Sequence, residues 1–177
     1  MKKVLFLLGQ VSDEDVEWFM SVGVRETIPA GDVLIRRGHP VDAVYIVLSG
    51  SFSVTVGSRE VNRLGSGEVV GEMSFVDARP PSATVTALET SSVFAIPRTS
   101  LAARLQDDTA FAARFYRALT LFLSDRLRST VGLLGYGDDR DLETEDLQQE
   151  ELNPEVLDTI HLAGSRFSGM LKRLADV

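Results

Sequence analysis

One segment of the chain, GEMSFVDARPPSATVTA at residues 71–87, carries the residue types best suited to hold a phosphate group. Gly71 allows a close approach of the backbone, and the following EMSFV is predicted to form one helical turn. The first amides of a helix point outward with a partial positive charge, so such a turn can take an anion. Pro81, in the same segment, offers neither a charge nor an amide hydrogen.

The rest of the chain shows no pattern typical of catalysis or of a metal site. Its 177 residues include no cysteine, which excludes disulfides, thiolate metal sites and cysteine nucleophiles. His39 and His161 are far apart with no acid at ligand spacing, and we interpret both as surface residues. Neither a nucleophile-elbow serine nor a Walker-type glycine loop occurs. We therefore expect neither an enzyme nor a metal-binding protein.

The net charge of −8 argues against nucleic acid as a partner. Residues 138–155 carry nine acids and one arginine, so the remaining charges cancel. An acidic chain with scattered bases is repelled by phosphate backbones. No eighteen apolar residues run together, and the apolar run at residues 4–8 is too short for a signal peptide. We expect a cytoplasmic protein without a membrane span.

Short runs rich in Val, Ile, Thr and Phe predict eight strands between residues 24 and 97. Gly, Asn, Asp or Pro interrupts the chain every six to twelve residues in this region. The runs are RETIPA, DVLIRR, AVYIVLS, SFSVTV, REVNRL, GEVV, SATVTAL and SSVFAIP. Eight short strands with such regular turns predict a mainly β fold, an antiparallel β-roll of the jelly-roll type.

Helices are predicted on both sides of the roll. Ser12 and Asp15 form a capping-box pattern that begins a short N-terminal helix. A short helical segment at residues 99–105 precedes a long helix at residues 111–134, which carries two apolar stripes. One stripe can pack on the roll, which leaves the other to be covered.

The chain divides into three parts on this interpretation. Residues 1–134 are the β-roll domain with its helices, and residues 135–153 are an acidic linker. Residues 154–177 are predicted to form an amphipathic helix that begins at Pro154 and docks on the roll or on a partner subunit.

Residues 65–87 and a spaced set of upstream residues together resemble the cyclic nucleotide-binding domain. The upstream set is Gly31, Ile35, Gly38, Asp42, Tyr45, Val47, Gly50 and Val54. The likeness covers about residues 5–134 and implies an eight-stranded β-roll with a phosphate-binding cassette at residues 71–87. It implies a signal-transduction module whose ligand is cAMP or cGMP. Because the helix after the roll often pairs subunits in that family, it also implies a homodimer through residues 111–134.

The resemblance assigns roles to individual residues of the cassette. Gly71 and the amides of Met73 and Ser74 would face the cyclic phosphate, and Glu72 would accept the ribose 2′-hydroxyl. The arginine of the family falls at Pro81. The complete set of candidate ligand-binding residues is Gly71, Glu72, Met73, Ser74, Arg79, Pro81, Ser82 and Ala83.

Three of these residues have other interpretations. Glu72 could be a first-turn acid that favours the helix dipole. Ser82 could present its hydroxyl to the ligand or only begin a strand. Arg79 could be a solvated turn residue, or it could fold back over the cassette and supply the missing cation.

Two functions therefore remain open. The first is a cyclic nucleotide sensor that acts through its long helix, with weak or absent binding of cAMP and cGMP because of Pro81. The second is a degenerate member of the family that serves oligomerisation or partner docking. About forty residues follow the long helix, and they begin with the acidic segment, so they leave no room for a DNA-recognition helix. We therefore expect the regulatory signal to pass through an unidentified protein partner or through self-association.

Overall fold

Eight strands form two antiparallel sheets in this computed structural model, which describes residues 3–135 and 154–175. The strands are β1 (Val24–Ile28), β2 (Val33–Ile35), β3 (Ala43–Ser49), β4 (Phe52–Val56), β5 (Arg59–Leu64), β6 (Val69–Val70), β7 (Thr84–Ala87) and β8 (Ser91–Pro97). Their order is β1-β8-β3-β6 in the first sheet and β2-β7-β4-β5 in the second. Each predicted run overlaps one of these strands, so the predicted β-roll is confirmed.

Alternate residues of the first sheet belong to two different cores. On β3, Val47 packs in the core between the sheets, whereas Ile46 packs in the core beneath the helices. Val93 and Phe94 of β8 divide in the same way. Successive side chains of a strand point to opposite faces, so both faces of this sheet are covered. Both strands therefore have continuous apolar sequences rather than alternating ones.

Helices precede, interrupt and follow the strands. Those in the described residues are α1 (Lys3–Gln10), α2 (Asp13–Val22), α3 (Glu72–Asp77), α4 (Arg98–Asp107), α5 (Thr109–Gly135) and α6 (Pro154–Ala175). The predicted capping box of α2 is present, because Ser12 Oγ accepts from the Asp15 amide at 3.2 Å and Asp15 accepts from the Ser12 amide at 2.8 Å. Asp108 Oδ1 accepts from the Phe111 amide at 2.8 Å, which satisfies a free amide in the first turn of the long helix α5.

The first helix, α1, is an addition to the single N-terminal helix that the sequence predicts. Val4, Phe6, Leu7 and Leu8 are buried in the core that α1 shares with α5 and α6. The Val4 amide donates to the Gly67 carbonyl at 2.8 Å, which joins α1 to the turn between β5 and β6. An apolar run of five residues is too short to show a helical period, so the pattern did not indicate this helix.

The C-terminal helix α6 is present as predicted, and it packs mainly against α1. Ala163 and Phe167 of the predicted apolar face are buried, together with Met170. Arg166 Nη1 donates to the carbonyls of Leu8 and Val11 at 2.6 and 2.7 Å. These carbonyls lie at and just beyond the C-terminal end of α1, where a helix lacks internal donors. The predicted acidic linker lies almost entirely outside the described residues.

A cluster around Asp15 joins α2 to α4 and α5. The buried Asp15 carboxylate accepts from Arg104 at 2.9 Å and from Arg114 at 2.8 and 3.1 Å. Arg104 also lies over the ring of Trp18, 4.8 Å from the ring centroid. Trp18 and Phe111 are in edge contact, with centroids 5.6 Å apart. The helices on this side of the roll are therefore held by both charge and aromatic contacts.

Candidate functional site

Gly71 makes the turn that connects β6 to α3. Its φ is 89°, a left-handed conformation that favours glycine. A Cβ atom at this position would lie 2.7 Å from the carbonyl oxygen of Ala43. Any other residue would therefore combine backbone strain with a clash against β3.

Helix α3 is held against α4 from its buried side. The Phe75 amide donates to the Gly71 carbonyl at 3.2 Å and closes the first turn. Arg98 of α4 donates to the Ser74 carbonyl at 2.8 Å and lies over the Phe75 ring, 5.6 Å from its centroid. Ser74 is buried, whereas Met73 is half exposed and lines a cavity beside α3.

Glu72 is the buried acid of this site and is bound to an arginine of α5. Only 2% of Glu72 is exposed, and its Oε1 accepts from Arg126 Nη1 at 2.8 Å. Arg126 also lies over the Phe122 ring, 5.0 Å from its centroid. Burial raises the pKa of Glu72, and the charge and hydrogen bond of Arg126 partly offset this effect. No pattern in the sequence indicated Arg126, because the contact joins positions 54 residues apart.

Arg79 lies in an exposed turn after α3. Its side chain is 85% exposed, and its Nε is 4.0 Å from the Asp77 carboxylate. The Arg79 amide also donates to Asp77 Oδ1 at 3.0 Å. Ala78, between them, has a φ of 56°, which is uncommon for a residue with a Cβ atom. In this conformation the guanidinium of Arg79 lies beside Asp77.

Pro81 occupies the position at which the resemblance to the cyclic nucleotide-binding domain predicts an arginine. Its carbonyl accepts from the Gly38 amide at 2.9 Å, so the turn after β2 fixes this segment. Ser82 is exposed, and Ala83 is half-buried where the chain enters β7. A single cavity of about 720 Å³ collects the predicted residues, and all eight of them line it. The structure thus brings the predicted set together and adds Arg126 from α5.

Two other predictions concern metal and membrane. Both His39 and His161 are exposed, as predicted. Within residues 3–135 and 154–175, no three His, Asp or Glu side chains are grouped to hold a metal ion. In the same ranges, none of the helices combines the length and apolar character needed to cross a bilayer.

Residues 25–108 match the family model described as the cyclic nucleotide-binding domain. These residues belong to that family. The matched range of the cyclic nucleotide-binding domain runs through β1 to α4 and includes the whole cassette at residues 71–87.

Known proteins similar to this chain include channels and kinase subunits. A cyclic nucleotide-gated potassium channel of Mesorhizobium japonicum is 40% identical over 70 residues, which are 40% of this chain and 19% of the channel. The chain therefore matches about a fifth of the channel's length. A cyclic nucleotide-binding domain structure from Methylobacillus flagellatus has a TM-score of 0.67 and 21% identity, covering 80% of this chain and 85% of that chain. The match to the Methylobacillus flagellatus structure shows that the two chains share a fold.

A structure with a ligand is also similar. The regulatory domain of Toxoplasma gondii PKA, crystallised with cAMP, is 26% identical with a TM-score of 0.53. The match covers 58% of this chain and 42% of that one.

Proposed function

We propose that this protein is a regulatory module that binds a small ligand of the nucleotide type and passes the occupancy of its pocket to α5. One observation carries the proposal: Arg126 of α5 donates to the buried carboxylate of Glu72 inside the pocket, at 2.8 Å. A ligand hydroxyl that reaches Glu72 would meet a group already bound to α5. The cAMP in the similar PKA regulatory domain supports a nucleotide-type ligand.

Pro81 favours a weak or absent response to cAMP and cGMP. A cyclic phosphodiester keeps one negative charge, and moving it out of water is costly unless donors meet it. An arginine fork would supply both charge and bidentate geometry, but Pro81 supplies neither. Losing a charged partner from a buried pair typically costs roughly 2 to 5 kcal/mol, which is roughly 30- to several-thousand-fold in affinity. If this loss is complete, the fold serves oligomerisation or partner docking instead.

Restoring the arginine tests the function of the pocket. We expect Pro81→Arg to improve the affinity for cAMP or cGMP by at least about tenfold, measured by calorimetry. The Gly38 bond to residue 81 uses a backbone carbonyl and survives the change. Pro40→Arg is the matched control, because it adds the same charge at an exposed proline that does not line the pocket. Equal gains in both variants, or no binding in Pro81→Arg, would contradict the proposal.

Arg79→Ala distinguishes the two interpretations of Arg79. Tight wild-type binding that is lost in Arg79→Ala would show that Arg79 supplies the cation. Tight binding that this change leaves untouched would refute the account of the missing charge.

A further inference from the structure

Charges on the wall of the pocket cancel among the residues that the structure describes. Three cations and three anions line it: Lys3, Arg79, Arg126, Glu68, Glu72 and Asp77. Sites for phosphate groups ordinarily present an excess of positive charge or charged forks to the ligand. The balance in this pocket gives an anion no such excess.

Each of these cations already lies beside a carboxylate. Arg126 is 2.8 Å from Glu72, and Arg79 is 4.0 Å from Asp77. Lys3 forms an ion pair with Asp125 of α5. An incoming phosphodiester would have to draw a cation away from its carboxylate. At Glu72 that exchange would leave a buried carboxylate without its cation, which is strongly unfavourable.

The rest of the wall suits an uncharged ring. Ile35 and Val54 contribute apolar surface from β2 and β4, and Leu64, Val70 and Val85 extend it. Apolar walls with few polar groups are typical of sites for small organic molecules. The Glu72 carboxylate can accept a further hydroxyl donor while it keeps its bond to Arg126. The pocket therefore suits a ligand that has a ring to lie on the apolar wall and a hydroxyl group for Glu72, and it does not favour a negative charge.

We infer that the ligand class of this pocket is the uncharged ribonucleoside, with its base on the apolar wall and a ribose hydroxyl donated to Glu72. The inference rests on the proposed function, because it keeps the pocket and its bond to α5 and changes only the charge of the ligand.

Calorimetry of the full chain with adenosine, guanosine, cAMP and cGMP tests this inference. We expect adenosine or guanosine to bind at least about tenfold more tightly than its own cyclic phosphate. The matching 2′-deoxynucleoside should bind at least about tenfold more weakly, because it lacks a hydroxyl for Glu72. Pro81→Arg should improve cyclic nucleotide binding and change nucleoside affinity by less than about threefold.

The outcomes separate this inference from the proposed function. Wild-type binding of a cyclic nucleotide as tight as that of its nucleoside would overturn the inference and leave the proposed function standing. The inference is also overturned, and the proposed function again stands, if Pro81→Arg binds cAMP or cGMP while the wild type binds neither adenosine nor guanosine. If neither protein binds any of the four compounds, both ideas are wrong.

Discussion

Glu72 is an acid in surroundings that disfavour its charge. Burial raises its pKa, so the folded protein holds a proton at this carboxyl more tightly than the unfolded chain does. The ionised form is therefore a cost to stability at neutral pH, and that cost is relieved as the pH falls. Arg126 reduces the cost by pairing with the carboxylate at 2.8 Å.

Removing the arginine should expose this cost. We expect Arg126→Ala to lower the free energy of unfolding by about 2 to 4 kcal/mol at pH 8. This range is shifted down from the roughly 3 to 5 kcal/mol of a fully buried pair, because Arg126 is partly exposed. The deficit should shrink at pH 5, where Glu72 without its cation takes up a proton more readily. Urea unfolding at both pH values measures the effect, and Arg59→Ala, at an exposed position of β5, is the control. A deficit that grows toward acid would be inconsistent with this account.

The cassette itself could be predicted from sequence, whereas its partner on α5 could not. Residues 71–83 lie together in the chain, so their types and order were enough to predict a shared wall. Arg126 reaches Glu72 only because α5 packs across the roll, and no local pattern encodes that packing. The position of the Arg79 side chain beside Asp77 likewise depends on the turn at Ala78, whose left-handed backbone is not a preference of alanine.

Among the elements, α5 has one covered face and one open face. Phe111, Phe115 and Phe122 are buried against the roll and its neighbouring helices. On the other predicted stripe, Tyr116 is 47% exposed and Leu127 is 64% exposed, whereas Leu123 is partly buried against the core. The side chains of Val131 and Leu134, also on that stripe, lie outside the described residues. An exposed stripe of large apolar residues is typical of an interaction surface.

We predict that a second copy of the chain covers this stripe. Leu127→Glu should convert a homodimer to a monomer at micromolar concentration, because a charge on the stripe would be buried without a partner. Light scattering measures the mass, and Ala110→Glu, at an exposed position near the start of α5, is the control. A wild-type monomer at that concentration would contradict the prediction.

Helix α6 should contribute directly to stability because it completes the core around α1. Phe167→Ala should lower the free energy of unfolding by about 3 to 5 kcal/mol, as expected for an aromatic residue removed from a core. Leu162→Ala is the matched control, because Leu162 lies on the same helix and is about half exposed. Thermal unfolding of both variants, and of a chain truncated after Gly137, gives the comparison. If the truncated chain is as stable as the wild type, α6 is a docking arm for another protein.

Strands and long helices were predictable because their signals are local. Turn residues and β-branched runs repeat along residues 24–97, and a capping box begins α2. The docking position of α6 was not predictable, because the apolar run of its partner, α1, is too short to be recognised as a helix. Gly9 of α1 shows how close the two helices come, since a Cβ atom there would lie 3.2 Å from Thr159 of α6.

At the scale of the whole molecule, the buried Asp15 joins three helices on one side of the roll. Burial opposes its ionisation, but hydrogen bonds from Arg114 and Ser12 outweigh burial and hold the pKa below its usual range. Its contribution to stability is therefore complete above the ordinary carboxyl pKa, and it is lost as the pH falls through the lower folded value.

Replacing this carboxylate should change the acid unfolding of the protein. We expect Asp15→Asn to destabilise the fold by about 2 to 4 kcal/mol at pH 7, with Arg104 and Arg114 partly exposed to solvent. Below about pH 4 the difference from the wild type should narrow. Glu14→Gln, at an exposed position of the same helix, is the control. Unfolding curves between pH 3 and 7 that run parallel for Asp15→Asn and wild type would refute this role.

Trp18 is the one tryptophan of the sequence, and its surroundings make it a natural optical probe. Its indole touches Phe111 at the start of α5 and lies under the guanidinium of Arg104 from α4. A shift of α5 on ligand binding would change both contacts, and it would therefore change the intensity and the emission maximum of the Trp18 fluorescence. Such motion can therefore be followed by fluorescence in the unlabelled protein, with Trp18→Phe as the blank.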